Sequence, residues 1–274
     1  MMFTSLHELF GVVKPVIGMI HLPPLPSSPA YFGADIGYVV EQALRDAEAL
    51  KAGGVDGVQV ENIADKPFMK PAEIDPVVVS VVASVAKEVR KSVGLPTGVF
   101  VLANAVEESI RAAAACGAEW VRANLYNLAY VADEGFVEAC AAKVERRRRL
   151  YNLGVRIFAD VMVKHGSHFI VSDLPLEYQV NRLEALGADA VIVSGMRTGD
   201  ETPLERLVEV KNVATKPVLV GSGLNPVNAE KLLMVADGAI VGTYFKREGK
   251  LFNPVDAERV KKVMAVVRNL RLQL

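Results

Sequence analysis

Hydrophobic residues recur along the chain in short runs that are separated by longer amphipathic stretches. The runs are apolar on both faces rather than alternating, which is typical of buried parallel strands. They lie at residues 16–21, 57–62, 97–103, 119–124, 155–163, 189–194, 217–221 and 238–242. The amphipathic stretches predict helices near 35–52, 75–93, 105–116, 134–153, 176–187, 203–214, 226–235 and 254–271.

The borders between these elements carry a repeated pattern of a glycine, a small residue and an acid before an apolar run. It occurs as Gly54-Val55-Asp56, Gly117-Ala118-Glu119 and Gly187-Ala188-Asp189, and it predicts a helix C-cap followed by a buried strand. Strands that alternate with helices in this way indicate an α/β protein, a (β/α)8 TIM barrel in which residues 1–274 form one domain. An open doubly wound sheet is the alternative, but no G-x-G-x-x-G motif opens the first βα unit.

Composition narrows the class of protein. Hydrophobic residues make up 51% of the chain, which allows a large core, and the net charge of -1 argues against nucleic acid as the main partner. Cys116 and Cys140 lack the spacing of a disulfide framework or a zinc site, and no cofactor motif is present. The sequence shows no signal peptide and no transmembrane segment, so we expect a cytoplasmic protein; a homo-oligomer is left open.

Two glycine turns follow the last two predicted strands. Gly221-Ser222-Gly223 ends the seventh run and Gly242-Thr243 ends the eighth, and Asn225-Pro226 between them predicts a helix start. Bare N–H groups near a helix N-terminus favour an anion, and (β/α)8 barrels often bind phosphate after strands 7 and 8. The sequence therefore predicts a phosphate site here, with Ser194 and Gly195 at its side; two ordinary βα turns are the structural alternative.

Charged side chains collect at the predicted carboxyl ends of the other strands, where barrel enzymes carry their active sites. The candidate catalytic residues are His21, Glu61, Arg122, Asp160 and Lys164. Such a cluster is costly in a dry barrel unless its members pair or bind a ligand, so an ion-pair network that closes the barrel is the alternative. His165 and His168 lack a third ligand at fixed spacing, so no metal site is predicted.

Alternation along the fifth predicted strand assigns its side chains to two faces. Ile157, Val161 and Val163 are expected to face the helices. Phe158, Asp160, Met162 and Lys164 are then expected to point into the barrel, if the strand stays regular. We therefore expect Lys164 to reach the mouth near Asp160 or Glu61.

The chain resembles the BtpA/SgcQ family in segments that span nearly its whole length. These are GMIHLPPLPSSP (18–29), GGVDGVQVENIADKPF (53–68), WVRAN (120–124), FADVMVKHGS (158–167), DAVIVSGMRTG (189–199), PVLVGSGLNP (217–226) and DGAIVGTYFKREGK (237–250). The resemblance implies a (β/α)8 barrel and a family known for photosystem I biogenesis in cyanobacteria, with relatives in organisms without photosynthesis. It implies no set of catalytic residues.

Two classes of function follow from these observations. The leading one is an enzyme that binds a phosphorylated small molecule, with isomerase, lyase or aldolase chemistry carried by Glu61, Asp160 and Lys164. The alternative is a non-catalytic assembly or stability factor whose charged mouth residues only pair with each other. A nucleotide phosphatase is a weaker third reading, because no Walker A motif is present.

Overall fold

A computed structural model describes residues 6–274. Its eight parallel strands close into a barrel in the order β1-β10-β9-β8-β7-β4-β3-β2, which confirms the predicted fold class. The barrel strands are Val16–His21 (β1), Gly57–Glu61 (β2), Thr97–Phe100 (β3), Trp120–Ala123 (β4), Arg156–Asp160 (β7), Ala190–Val193 (β8), Val218–Val220 (β9) and Gly238–Val241 (β10). The single domain over 1–274 stays a prediction, and residues 1–5, where the signal-peptide reading begins, lie outside the described residues.

Among residues 6–274, one short helix precedes β1, and the longer helices follow barrel strands and surround the barrel. Their bounds are Leu6–Phe10 (α1), Ile36–Gly53 (α2), Pro76–Val93 (α3), Val106–Cys116 (α4), Ala141–Leu150 (α5), Leu176–Ala185 (α6), Leu204–Val213 (α7), Ala229–Val235 (α8) and Ala257–Arg271 (α9). Asp75 caps α3 by accepting a hydrogen bond from the Val77 N–H, and Pro76 follows it as expected. Gly54 and Gly117 end α2 and α4 in the left-handed conformation, as the glycine pattern predicted.

The helix predicted at 134–153 is wrong in its first part. An antiparallel hairpin, Ala129–Ala132 (β5) and Gly135–Glu138 (β6), occupies residues 129–138, and α5 begins only at Ala141. The cause is local: an alternating, aromatic and β-branched run surrounds Asp133-Glu134, and Gly135 takes a φ of 89° just after this two-residue turn.

The fifth barrel strand is also shorter than the predicted 155–163. It ends at Asp160, and Met162 takes a left-handed φ of 47°, so regular alternation stops there. Met162 packs against the core between barrel and helices, whereas Val163 lines the mouth of the barrel. The faces predicted for these two side chains are therefore wrong, and those of Ile157, Phe158 and Val161 are confirmed.

Large aromatic rings fill the lower half of the barrel. Trp120 is fully buried and stacks on Phe158 with ring centroids 5.6 Å apart, and Phe10 of α1 meets Trp120 edge-on at 5.4 Å. Gly98 makes room for the indole, because a Cβ at this position would lie 2.1 Å from Trp120 Nε1. The indole N–H donates to the Gln59 side-chain oxygen at 2.9 Å, so its one polar group is satisfied. This packing closes the barrel below the mouth.

Candidate active site

A cavity of about 410 Å³ opens at the carboxyl ends of the barrel strands. Both glycine turns line it, as do His21, Glu61, Arg122 and Lys164. The structure therefore brings most of the predicted phosphate-binding and catalytic residues to one space. Cavities of this size and position are the usual ligand sites of barrel proteins.

The two glycine turns lie side by side because β9 and β10 are neighbours in the barrel. Within residues 6–274 no hydrogen bond engages the N–H groups of Ser222, Gly223, Gly242 or Thr243. Gly223 has a φ of 72°, and a Cβ there would lie 2.3 Å from the Asp200 carbonyl oxygen. A residue with a side chain would therefore not fit, and glycine keeps the turn close to the loop after β8.

Other predicted phosphate donors are already used within the protein. The Gly221 N–H donates to Val193 O at 2.7 Å, the Gly195 N–H to Ser222 Oγ at 2.9 Å and the Asn225 N–H to Asn228 Oδ1 at 2.8 Å. Ser194 is buried, and its hydroxyl donates to Asp160 at 3.2 Å. The predicted donor set thus narrows to Ser222–Gly223 and Gly242–Thr243.

The helix start predicted at Asn225-Pro226 is displaced. Asn225 Oδ1 accepts from the Val227 N–H at 2.8 Å, which forms a tight turn, and α8 begins only at Ala229. With seven residues, α8 is too short to offer a strong dipole. Any anion at this place would depend on the glycine-turn N–H groups rather than on the helix.

His21 and Glu61 are register partners at the ends of β1 and β2, and His21 Nε2 lies 3.4 Å from Glu61 Oε1. On the other side of the ring, His21 Nδ1 is 3.4 Å from the Leu251 carbonyl oxygen. Burial alone would raise the pKa of Glu61, but His21, Arg122 and Lys164 together hold it below its ordinary value. Glu61 is therefore a carboxylate that faces the cavity.

Arg122 and Asp160 form a bidentate ion pair with two contacts of 2.8 Å. Burial alone would lower the pKa of Arg122, but Asp160 and Glu61 hold it above its ordinary value. Asp160 also accepts from Ser194 and does not line the cavity, whereas Arg122 does. Asp160 is therefore placed to hold Arg122 in position, and Arg122 is placed to contact a ligand.

Lys164 reaches the mouth from the loop after β7 and not from a continued strand. Within residues 6–274 its ammonium makes no hydrogen bond or salt bridge. Burial and the charge of Arg122 lower its pKa to about 8, although Asp160, Glu61 and Asp200 act in the opposite direction. About one tenth of this amine is therefore neutral, and nucleophilic, at pH 7.

The loop after β8 supplies cavity residues that the sequence reading missed. Thr198 and Gly199 line the cavity, and His165 Nε2 lies 2.9 Å from Thr198 Oγ1. Gly199 has a φ of 90°, and a Cβ there would lie 3.3 Å from Thr243 Oγ1. The Thr198-Gly199-Asp200 turn after a strand was the available signal, because it repeats the glycine-turn chemistry of its neighbours.

The rim opposite this loop was also missed. Lys66 and Phe68, which follow β2, line the cavity together with Asp133 and Glu134 at the tip of the hairpin. No short motif marks these residues. Asp133 and Glu134 reach the cavity through the hairpin, part of which was predicted to be helical.

Among residues 6–274, no three side chains of His, Cys, Asp or Glu are grouped so that they could hold a metal ion. None of the helices in this range has the length and apolar character needed to span a membrane.

Comparisons with known proteins agree with the resemblance seen in the sequence. Residues 12–269 match the model of the BtpA family. An uncharacterised protein of Pyrococcus furiosus is 41% identical and covers 94% of this chain and 96% of its own length. The photosystem I biogenesis protein BtpA of Synechocystis sp. is 37% identical and covers 93% of this chain and 88% of its own length.

A solved structure of tryptophan synthase from M. tuberculosis shares the fold. Its TM-score is 0.59 with 18% sequence identity, and the match covers 93% of each chain. At this identity the likeness supports the barrel architecture alone.

Proposed function

The chain belongs to the BtpA family, and we propose that it binds a phosphorylated small molecule in the barrel mouth and acts on it as an isomerase-, lyase- or aldolase-type enzyme. The observation that carries the proposal is Lys164, whose pKa is lowered to about 8 and whose ammonium makes no hydrogen bond or salt bridge within residues 6–274. It lies in the same cavity as two glycine turns, in which the N–H groups of Ser222, Gly223, Gly242 and Thr243 make no hydrogen bond in that range. A protein that needed this amine only for stability would pair it with a carboxylate.

The phosphate is the anchor of the proposed ligand. The N–H groups of Ser222–Gly223 and Gly242–Thr243 would donate to its oxygens, with the Thr243 hydroxyl as a further donor. Because neighbouring strands carry these turns, one dianion can contact both. Fixing one end of the ligand in this way orients its reacting carbon over the centre of the barrel.

Lys164 and the His21–Glu61 pair face each other across this centre. In the closed strand order, three strands separate β7 from β1 in either direction, so Lys164 lies opposite His21. The neutral amine would attack a ligand carbonyl to form a carbinolamine, which takes up one proton from solvent and loses water to give a protonated imine. When the adjacent C–H bond breaks, the imine would take up its electron pair and Glu61 would accept the proton. When the adjacent C–C bond breaks, Glu61 would accept the proton of a hydroxyl on the departing carbon, which leaves as a carbonyl.

Arg122 would stabilise negative charge that develops on the ligand. Its pairing with Asp160 holds the guanidinium in one orientation, which is what preorganised electrostatic stabilisation requires. In this proposal Asp160 positions Arg122, and the chemistry rests on Lys164, Glu61 and His21.

Reductive trapping tests the proposal. The protein is incubated with borohydride and either glyceraldehyde 3-phosphate or unphosphorylated glyceraldehyde, and the adduct is located by mass spectrometry. We expect a phosphate-dependent adduct on Lys164 that the Lys164→Arg variant does not form. Lys66→Arg is the matched control, because Lys66 lines the same cavity but is exposed. No adduct with any phosphorylated aldehyde or ketone would rule out the imine route.

Phosphate binding is tested separately by thermal unfolding. A phosphate ester at 100 times its dissociation constant should add about 2.7 kcal/mol to the free energy of unfolding. No stabilisation by any phosphate ester would contradict the phosphate site itself.

A non-catalytic assembly or stability factor is the second candidate. The observation that favours it is the name of the Synechocystis relative, a photosystem I biogenesis protein. This candidate predicts neither stabilisation by phosphate esters nor a trapped adduct. A cytoplasmic location and the absence of nucleic-acid partners stay predictions of the sequence, and a homo-oligomeric state stays open.

A further inference from the structure

An apolar wall forms one side of the cavity. Its members are Ile63, Phe100, Leu102 and Ala103, with Phe68 packed against them, and all five line the cavity. The first four are at most 8% exposed, so their side chains are held by packing on most sides. Phe68 is half-buried and packs against the other four.

The wall faces the glycine turns across the barrel. In the closed strand order, three strands separate β9 from β3 in either direction, and three separate β10 from β4. Phe100, Leu102 and Ala103 lie at or just after the end of β3. A ligand anchored at the glycine turns therefore extends over the reacting groups toward an apolar surface.

Polar groups near the wall are already used to hold loops. Asn62 donates to Asp65 and accepts from the Leu102 N–H, each at 2.8 Å. Asn104 bonds both the carbonyl and the N–H of Leu125 through its amide. Neither asparagine lines the cavity. The side chains of the wall carry no hydrogen-bonding groups of their own, and a ligand hydroxyl left unpaired against them is unfavourable.

Size and stacking favour a ring. A three-carbon phosphate would leave much of a 410 Å³ cavity and the whole apolar wall in contact with water. The Arg122 guanidinium lies over the Phe100 ring, with its central carbon 6.0 Å from the ring centroid. An aromatic ligand packed beside Phe100 would add a second planar group to this contact.

We propose that the ligand of this site is a phosphate ester with an aromatic or heteroaromatic group at the end remote from the phosphate, which packs against Phe68, Phe100 and Leu102. This inference rests on the proposed function, because it takes the glycine turns as the phosphate anchor. The proposed function specifies only the phosphate end of the ligand, and the apolar wall specifies the chemical class of the other end.

Calorimetric titration of the whole chain with two matched probes tests the inference. Propyl phosphate and 3-phenylpropyl phosphate share the anchor and differ in the ring. We expect the phenyl compound to bind at least tenfold more tightly, a difference of about 1.4 kcal/mol. Phe68→Ala should remove most of this difference and leave the affinity for propyl phosphate unchanged.

Phe32→Ala is the matched control, because Phe32 is 62% exposed and does not line the cavity. Equal affinities for the two probes would overturn the aromatic substrate and leave the phosphate site standing. Failure of both probes and of inorganic phosphate to bind would overturn the proposed function as well. If Phe68→Ala leaves the difference in affinity between the two probes unchanged, the phenyl ring binds elsewhere, and the proposed contact with the apolar wall is wrong.

A crystal of the wild-type protein soaked in 3-phenylpropyl phosphate provides a second measurement that does not depend on a variant. The expected result is a phenyl ring in contact with Phe68 or Leu102 and a phosphate at the glycine turns. A ring directed toward solvent would contradict the inference.

Discussion

The imidazole of His21 and the carboxylate of Glu61 meet at a separation of 3.4 Å because their strands pair in register to the last residue. A slip of one residue between β1 and β2 would turn one of the two side chains to the outside of the barrel. The ladder between the two strands therefore fixes the distance between a basic ring and an acid. Such a pair can exchange a proton with a ligand above it.

Replacing Glu61 with Gln distinguishes catalysis from ion pairing. Gln keeps the size of the side chain and removes its charge, so we expect a folded barrel whose turnover falls by a factor on the order of 10²–10⁴. Activity and melting temperature are measured on the same preparation. A variant that is destabilised by about 3–5 kcal/mol but keeps its specific activity would show that Glu61 is an ion-pair partner only.

The pH dependence of imine trapping tests the role of Lys164. Only the neutral amine attacks a carbonyl, so we expect the rate of borohydride trapping to rise with pH to a midpoint near 8, where burial has placed the pKa. An unperturbed lysine would give a midpoint near 10.4. A midpoint above 10 would show that the amine is not tuned for this reaction.

The pH dependence of the free energy of unfolding should give an independent measure of the Lys164 pKa. Because the folded pKa lies below the unfolded one, the cost of the charged amine is fully present below pH 8 and disappears as the pH rises through the unfolded pKa. Lys164→Met should therefore raise the free energy of unfolding more at pH 7 than at pH 10.5, as measured by urea titration. An equal effect at both pH values would mean that the ammonium is not desolvated.

An anion should bind between the two glycine turns. We expect a sulfate or phosphate in a crystal of this protein within hydrogen-bonding distance of the N–H groups of Ser222–Gly223 and Gly242–Thr243. Diffraction from crystals grown with and without the anion provides the measurement. An anion that occupies the α8 N-terminus but not the turns would contradict the assignment.

Gly98 should be required for the packing of Trp120. A methyl group at this position would lie 2.1 Å from the indole nitrogen, so Gly98→Ala should lower the free energy of unfolding by about 1–3 kcal/mol. Gly154→Ala is the control, because no atom lies within 4 Å of a Cβ built there. Equal urea midpoints for the two variants would show that the indole moves aside without cost.

The fold could be predicted from the sequence because its signals are local and repeated. Each barrel strand is an apolar run, and glycines such as Gly54 and Gly117 mark the helix ends. The hairpin was missed because Gly135 and the aromatic alternation around it lie next to a strongly helical run. The boundary between a strand and a helix is difficult to predict from one sequence where the two-residue period of a strand meets the 3.6-residue period of a helix.

The positions of candidate side chains could be predicted where they lie at strand ends, and less completely where they lie in loops. Glu61 and Arg122 lie on strands, so alternation was enough to direct them inward. Lys164 was expected at the mouth because of regular alternation along the strand. It does lie at the mouth, but β7 ends at Asp160, so alternation is not the cause. The sequence does not show which backbone N–H groups are free to bind a ligand, because this depends on long-range contacts. The Gly195 N–H, for example, donates to Ser222, which lies 27 positions away in the sequence.

The stacked rings of Trp120, Phe158 and Phe10 have a kinetic consequence for any reaction in this barrel. Among residues 6–274 these rings fill the barrel below the cavity, so a molecule held above them exchanges through the mouth. Product must therefore depart before the next substrate can arrive, so product inhibition should be competitive. The residence time of the product, set by the loops at the rim, would then place an upper limit on turnover.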